Sequence, residues 1–413
     1  MNKKFILAAA AALVGVAVSA QESKGSIKWY GFIRNYAAVD SRESVSGTDN
    51  LFYYLPKDVK IVDGEDVNAV TSARFAALTS RLGVDVTGYE FQGWKLGAKI
   101  EADFYNGLSG STGTAVFRLR QAYATIAKDA LSFKVGQTWH PLAADMPDVF
   151  SLNTGAPFNP FSRTPLALMD YKFAKNLSFT AAALWQMQYT SAGPSGASAD
   201  YIKYSCIPEF YFGLNYSADG FVGRVGLDVL SIKPRTVDAA SGKKVSDRIT
   251  TVTPFVYAQY SKDLLTLKAK ATFAQAGEHM NLNGGYGVSE INADGSWSYA
   301  PTRNLSAWFS AKYGKKLQGV FFAGYAKNYG TATEILGPDF LYFSKNSFSN
   351  MNQMYRVTPT VMYNFGKLTL GLEYELTSVQ YGSWGDNARF GLADVDLHWV
   401  TNHRVQAMLK FTF

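Results

Sequence analysis

Arg118 and Arg120 stand two residues apart in the run Val116-Phe117-Arg118-Leu119-Arg120-Gln121-Ala122-Tyr123. In an extended chain successive side chains point to opposite faces, so both guanidiniums emerge on one face and Phe117 and Leu119 on the other. A guanidinium presents a planar fork of donors that fits a carboxylate or phosphate with two parallel bonds. Two in line suit the hand-over of small anions. The same alternation puts Arg34, Arg81, Lys95, Lys99, Lys134, Arg224, Lys268, Lys270, Arg404 and Lys410 on the polar faces of their segments. Asp85, Glu101, Asp103, Asp228, Glu373 and Glu375 share those faces. Opposite charges placed this way either pair across neighbouring strands or set up a transverse field.

Groups for covalent or metal chemistry are sparse. His140, His279, His398 and His403 are the only histidines. No nucleophile-histidine motif, Cys/His ligand cluster or phosphate-cradling glycine loop accompanies them, so no catalytic residue, metal ligand or cofactor is expected. Cys206 is the only cysteine, which excludes an intrachain disulfide. Within Tyr204-Ser205-Cys206-Ile207-Pro208 it reads as a small buried residue of a strand. The chain carries 40 Lys+Arg against 33 Asp+Glu, a net +7. No basic run or nucleic-acid motif goes with that excess, and no nucleic-acid partner is expected.

The elements that must carry these side chains read as long strands. Trp94, Leu96, Ala98, Ile100, Ala102 and Phe104 alternate with Lys95, Gly97, Lys99, Glu101 and Asp103. Segments beginning at Leu265 and Leu368 repeat the pattern. The last ten residues put Val405, Ala407, Leu409, Phe411 and Phe413 on one face and Arg404, Gln406, Met408, Lys410 and Thr412 on the other. A soluble edge strand this apolar invites aggregation, whereas a barrel closed in a bilayer has no edge and needs an apolar outside. The strands run to about ten residues, the length a tilted strand needs to cross, and no stretch approaches the ~20 apolar residues of a spanning helix.

Connectors alternate in length. Short ones fall near 127–129, 174–176, 217–220, 261–263, 314–316 and 366–367; long ones near 40–72, 140–163, 190–200, 236–246, 277–303, 330–354 and 381–402. The expected fold is therefore all-β: a transmembrane antiparallel β-barrel of about sixteen strands, within a range of roughly fourteen to eighteen, with short periplasmic turns and long extracellular loops. Tyr216, Tyr260, Tyr313 and Phe365 precede short turns, where an interfacial aromatic girdle belongs. Pro208, Pro254 and Pro359 are expected at strand starts or bulges. Lys3 and Lys4, the apolar run from Phe5 to Val18 and the small-x-small Val18-Ser19-Ala20 read as a signal peptide cut after Ala20. Residues 21–413 then form one barrel domain, and losing Lys3 and Lys4 takes the net charge from +7 to +5. Phe413 is the aromatic end that barrel-assembly machinery is expected to read.

The segment 140–163 contains four prolines among apolar residues and suits a rigid loop folded into the pore. Asp145, Asp148 and Arg163 would then face one another across the opening. Arg120-Gln121-Ala122-Tyr123-Ala124-Thr125, a short turn and Val135-Gly136-Gln137-Thr138-Trp139 resemble the paired-strand signature of the DcaP-type porins. The proline-rich loop ending at Ser162-Arg163-Thr164-Pro165 is similar to that family's constriction region. The resemblance is compact, covering residues 118–165. It implies a sixteen-stranded, homotrimeric outer-membrane channel for small anionic solutes such as dicarboxylates, with Arg118, Arg120 and Arg163 near the constriction. One departure is the N-terminal coiled coil of DcaP, since only residues 21–26 precede the first strand here. The function expected is passive diffusion of small hydrophilic solutes with a modest preference for anions such as dicarboxylates or phosphate. The alternative is a surface-exposed binding or adhesion protein built on a closed barrel, and the observation separating the two is ion conductance in planar bilayers.

Overall fold

The computed structural model describes residues 25–48, 51–106, 115–344 and 348–413. The signal peptide expected over residues 1–20 lies outside them. Sixteen antiparallel strands form a closed barrel wall. They are β1 (Ser26–Asp40), β2 (Arg81–Phe91), β3 (Trp94–Asn106), β4 (Ala115–Lys128), β5 (Leu131–Trp139), β6 (Arg163–Ala174), β7 (Leu177–Leu184) and β8 (Glu209–Ala218). The wall continues with β9 (Phe221–Ile232), β10 (Ile249–Lys262), β11 (Leu265–Gln275), β12 (Trp297–Gly314), β13 (Leu317–Thr331), β14 (Met351–Phe365), β15 (Leu368–Trp384) and β16 (Ala393–Thr412). Closure comes from β1 pairing with β16, from Phe32 opposite Thr412 to Asp40 opposite Arg404. Phe413 extends that seam: its N–H donates to Gly31 O at 3.1 Å and its carbonyl accepts from Gly31 N at 3.3 Å.

Alternation decides which face looks out. In β16 Val405, Leu409 and Phe411 are 42–47% exposed, while Arg404, Gln406 and Met408 between them are at most 5% exposed. The apolar set thus lies on the outer face of the barrel, and the polar set lies inside a packed lumen. Tyr216, Tyr260, Tyr313 and Phe365 are exposed at the tight-turn ends of their strands, as a girdle requires. At the turn after β8, Asp219 and Gly220 hold φ of 50° and 81°. Two consecutive positive φ values make the two-residue turn whose twist matches its strands.

Several strand ends differ from the sequence-based expectation. The hairpin turn at 92–93 joins β2 to β3 where no break was expected. β15 and β16 run on to Trp384 and from Ala393, so the loop expected over 381–402 shrinks to 385–392. Beyond the bilayer both faces of a ladder are free to be polar, and the alternation that reveals a strand fades. Pro208 does precede the start of β8. Pro254 and Pro359 instead sit inside strands without bulges: β10 pairs with β11 only from Phe255 onward, and the β14–β15 ladder skips from Val357 to Thr360. A missing N–H removes ladder bonds on one side only. Cys206 is also corrected: it caps a short helix, Asp200–Ser205, in a left-handed conformation and is exposed.

The lumen carries an apolar core supplied by two loops. Phe158 and Phe161 from the loop after β5 pack with Phe52, Tyr54 and Leu55 from the loop after β1, and both sets meet Trp308 and Phe322 of the wall. The inward 140–163 loop was expected. The inward hairpin of Ser44–Gly47 and Phe52–Pro56 was not.

Candidate functional site

The loop from 140 to 162 is held inside the barrel by charges that alternation had aimed at the lumen. Glu373 of β15 accepts the backbone N–H groups of Phe150 and Ser151, each at 3.1 Å, together with Thr360 Oγ1 and Gln406 Nε2, each at 2.7 Å. Four donors on one buried carboxylate make Glu373 a clamp for the loop. Arg356 of β14 donates to Ala156 O at 2.8 Å and to Tyr54 O at 2.5 Å, so it ties both inward loops to the wall, with Glu375 3.5 Å away. Asn153 Nδ2 donates to Glu375 at 3.3 Å and to Tyr53 O at 3.1 Å.

The loop's own acids face the wall. Asp148 bonds Lys268 at 3.0 Å and Lys312 at 2.8 Å. Asp145 pairs with Arg224, and Lys270 donates to Leu142 O. Asp145 and Asp148 were expected to face Arg163 across an opening; they pair with Arg224, Lys268 and Lys312 instead. They dock the loop on β9, β11 and β12, and Arg224, Lys268 and Lys270 serve as anchors more than as rungs of a free ladder.

The opposite wall holds the arginines. Arg118 grips Asp103 with two bonds of 3.0 Å and lies 4.0 Å from the Tyr105 ring centroid. Arg120 reaches Glu101 at 2.9 Å and Asp103 at 2.7 Å, and Arg81 sits 3.4 Å from Glu101. Arg34 bonds Thr79 Oγ1 at 2.6 Å and packs on Phe32 and Tyr36. Lys410, its cross-strand neighbour, lies 5.9 Å from the Phe32 ring. Among the described residues neither Arg34 nor Lys410 forms an ion pair.

A cavity of about 320 Å³ separates this wall from the loop. Arg34, Arg81, Arg118, Arg120, Lys312 and Lys410 line it, and among the described residues Asp148 is the one carboxylate at its surface. Burial pushes the phenol of Tyr189, another lining residue, up to about 12, so it stays a neutral donor beside Tyr54, 3.0 Å away. Tyr54 comes from the inward hairpin and Tyr189 from the segment after β7.

The remaining expected residues are scattered. Arg163 is buried on the rings of Trp139 and Phe161 and borders a neighbouring pocket with Arg118. Lys99 pairs with Asp85 at 2.9 Å, Lys134 lies over Tyr123, and Lys95 is exposed beside the 92–93 turn. Arg404, 3.3 Å from Asp40, sits in the seam between β1 and β16. Sequence reasoning missed Lys312 and Arg356. Both follow from parity along their strands, but Trp308 and Met354 on the same inward faces obscure it. It also missed a cluster at the loop's root, where His140, His279, Glu209 and Asp228 come together.

The family model described as DcaP outer membrane protein matches residues 5–156. The resemblance read from residues 118–165 falls largely inside that stretch. The fold agrees over nearly the whole chain: the crystal structure of the outer membrane channel DcaP of Acinetobacter baumannii superposes with a TM-score of 0.66 at 19% identity, covering 97% of this chain and 100% of that one. An anion-selective porin from Comamonas acidovorans gives 0.55 at 10% identity, covering 94% and 100%. OmpT of Vibrio cholerae gives 0.54 at 12%, covering 94% and 98%. No curated protein matches the chain. The chain has the fold of a sixteen-stranded porin barrel.

Proposed function

We propose that this barrel is a passive diffusion channel for small hydrophilic solutes, with a modest preference for anions such as dicarboxylates or phosphate. The observation that carries the reading is the lining of the cavity between the wall and the inward loop: among the described residues, six cationic side chains and one carboxylate. Such a lining lowers the barrier for an anion and raises it for a cation. Glu101 and Asp103 lie behind the arginines and hold them in place, which trims the field without reversing it. The nitrogens that Arg118 and Arg120 do not spend on Glu101 and Asp103 can take a carboxylate or phosphate in turn.

The same reading has the chain exported by residues 1–20 with cleavage after Ala20, inserted by barrel-assembly machinery acting on the terminal strand that ends at Phe413, surrounded by outer-membrane lipid, and assembled as a homotrimer. The porin-type fold supports the last point, and native gel migration before and after boiling tests it. The selectivity claim is tested by the reversal potential of purified protein in a planar bilayer under a salt gradient. An anion-selective potential is expected, and a cation-selective one would overturn the preference. Absence of any conductance would remove the channel reading itself.

A further inference from the structure

At the root of the inward loop, four side chains from four separate segments converge. His140 follows β5, Glu209 opens β8, Asp228 lies on β9, and His279 sits on the short turn Gly277–Met280. All four are at most 2% exposed. His140 Nε2 and His279 Nε2 approach the same oxygen, Glu209 Oε1, at 3.0 and 2.9 Å. Asp228 closes the group, with Oδ1 3.5 Å from His140 Nε2 and Oδ2 4.0 Å from His279 Nε2. Asp228 Oδ1 is buried and has no hydrogen-bond partner among the described residues. It points into the cluster, which is flanked by the apolar Leu142, Tyr211, Met280 and Leu282.

We propose that His140, Glu209, Asp228 and His279 bind one divalent transition-metal ion of the zinc type. Ligand atoms about 2.0–2.1 Å from a tetrahedral zinc lie about 3.3 Å from one another. The ligand atoms of His140, Glu209 and Asp228 all lie within 4.8 Å of one another, and His279 completes the set by closing on them, its Nε2 standing 2.9 Å from Glu209 and 4.0 Å from Asp228 in the metal-free cluster. Two neutral imidazoles and two carboxylates carry the charge that cancels a divalent cation, which a site sealed from water requires. Imidazole donors favour zinc and its transition-series neighbours over calcium or magnesium, which take oxygen ligands.

His279 is already oriented for the task. Its Nδ1 faces Ala276 O at 3.2 Å, the backbone contact that fixes a metal-binding imidazole so that Nε2 turns inward. With Nδ1 facing a carbonyl and Nε2 the Glu209 carboxylate at 2.9 Å, both ring nitrogens act as donors in the metal-free cluster, and the ion displaces the Nε2 proton to solvent. His140 differs. Leu142 N–H donates to its Nδ1 at 3.1 Å, which places the ring proton on Nε2. Binding through Nε2 requires that proton to move to Nδ1 and the Leu142 amide to turn away. The ion is therefore coupled to the first turn of the loop, Pro141–Ala143.

The test is zinc binding by the untagged full barrel in detergent, stripped with a chelator, incubated with zinc(II) and desalted. One zinc per chain is expected, with affinity at least tenfold weaker in D228N and in H279Q. Zinc-free protein after desalting, or equal binding by both variants, would overturn the site. The unmodified protein loaded with cobalt(II) gives a readout that needs no variant. Intense visible bands of four-coordinate cobalt are expected, and a weak octahedral spectrum overturns the proposal. Neither readout depends on solute transport, so the channel reading stands or falls separately.

Discussion

Arg120 and Arg34 show why a cation's worth depends on what stands behind it. Arg120 is held between Glu101 and Asp103 at 2.9 and 2.7 Å. Its charge is largely matched before any solute arrives. Arg34 and Lys410 bond neutral groups and rings, so their charge reaches the cavity uncompensated. One unmatched charge about 8 Å from a monovalent anion, at an effective dielectric constant of roughly 60, is worth about 0.7 kcal/mol, or a factor of about three. R34A and K410A should each lower the anion-to-cation permeability ratio by about that factor. R120A removes the same unit charge and also uncovers part of Glu101 and Asp103, so it should lower the ratio by at least as much. Reversal potentials of the three variants check this, and an unchanged ratio in R120A would contradict it. Asp148 runs the other way. D148N releases Lys268 and Lys312 at the cavity surface and should raise anion preference about threefold by the same estimate; an unchanged potential would mean these lysines do not face the permeating ion.

At the scale of elements, the wall and its contents were unequally legible. Strands such as β3, β11 and β16 announce themselves because lipid on one side and packed polar groups on the other impose a strict alternation. The inward loop was readable from its prolines and apolar residues. Its docking was not: Phe150 and Ser151 meet Glu373 across more than 200 residues of sequence, at separations of 223 and 222. The hairpin 44–56 and the histidine cluster were hidden for the same reason. His140 gains its meaning from Glu209 and His279, and nothing local marks those partners. The clamp gives a direct prediction. Glu373→Ala leaves two buried backbone N–H groups without an acceptor, at about 1–3 kcal/mol each. That cost falls on the docked state, so the loop should leave its seat part of the time. Single-channel recordings should show larger or fluctuating conductance. A steady channel of wild-type conductance would show that the Asp145, Asp148 and Arg356 contacts suffice without Glu373.

On the scale of the whole molecule, the field and the aperture have separate origins. The aperture is set by packing: Phe52, Phe158 and Phe161 wedge two loops against Trp308 and Phe322, and that contact is insensitive to salt. The field comes from cations around a wetted cavity, and those are screened. The Debye length falls from about 10 Å at 0.1 M salt to about 3 Å at 1 M, less than the span of the cavity walls. Raising salt should therefore collapse the anion preference toward unity while leaving the size limit for neutral sugars unchanged. Reversal potentials at the two salt concentrations and liposome swelling with sugars of graded size measure the two properties independently. Selectivity that survives 1 M salt would mean that anions are chosen by direct, desolvated contact with the guanidiniums of Arg118 and Arg120, and would move the basis of selectivity from the long-range field to a binding site.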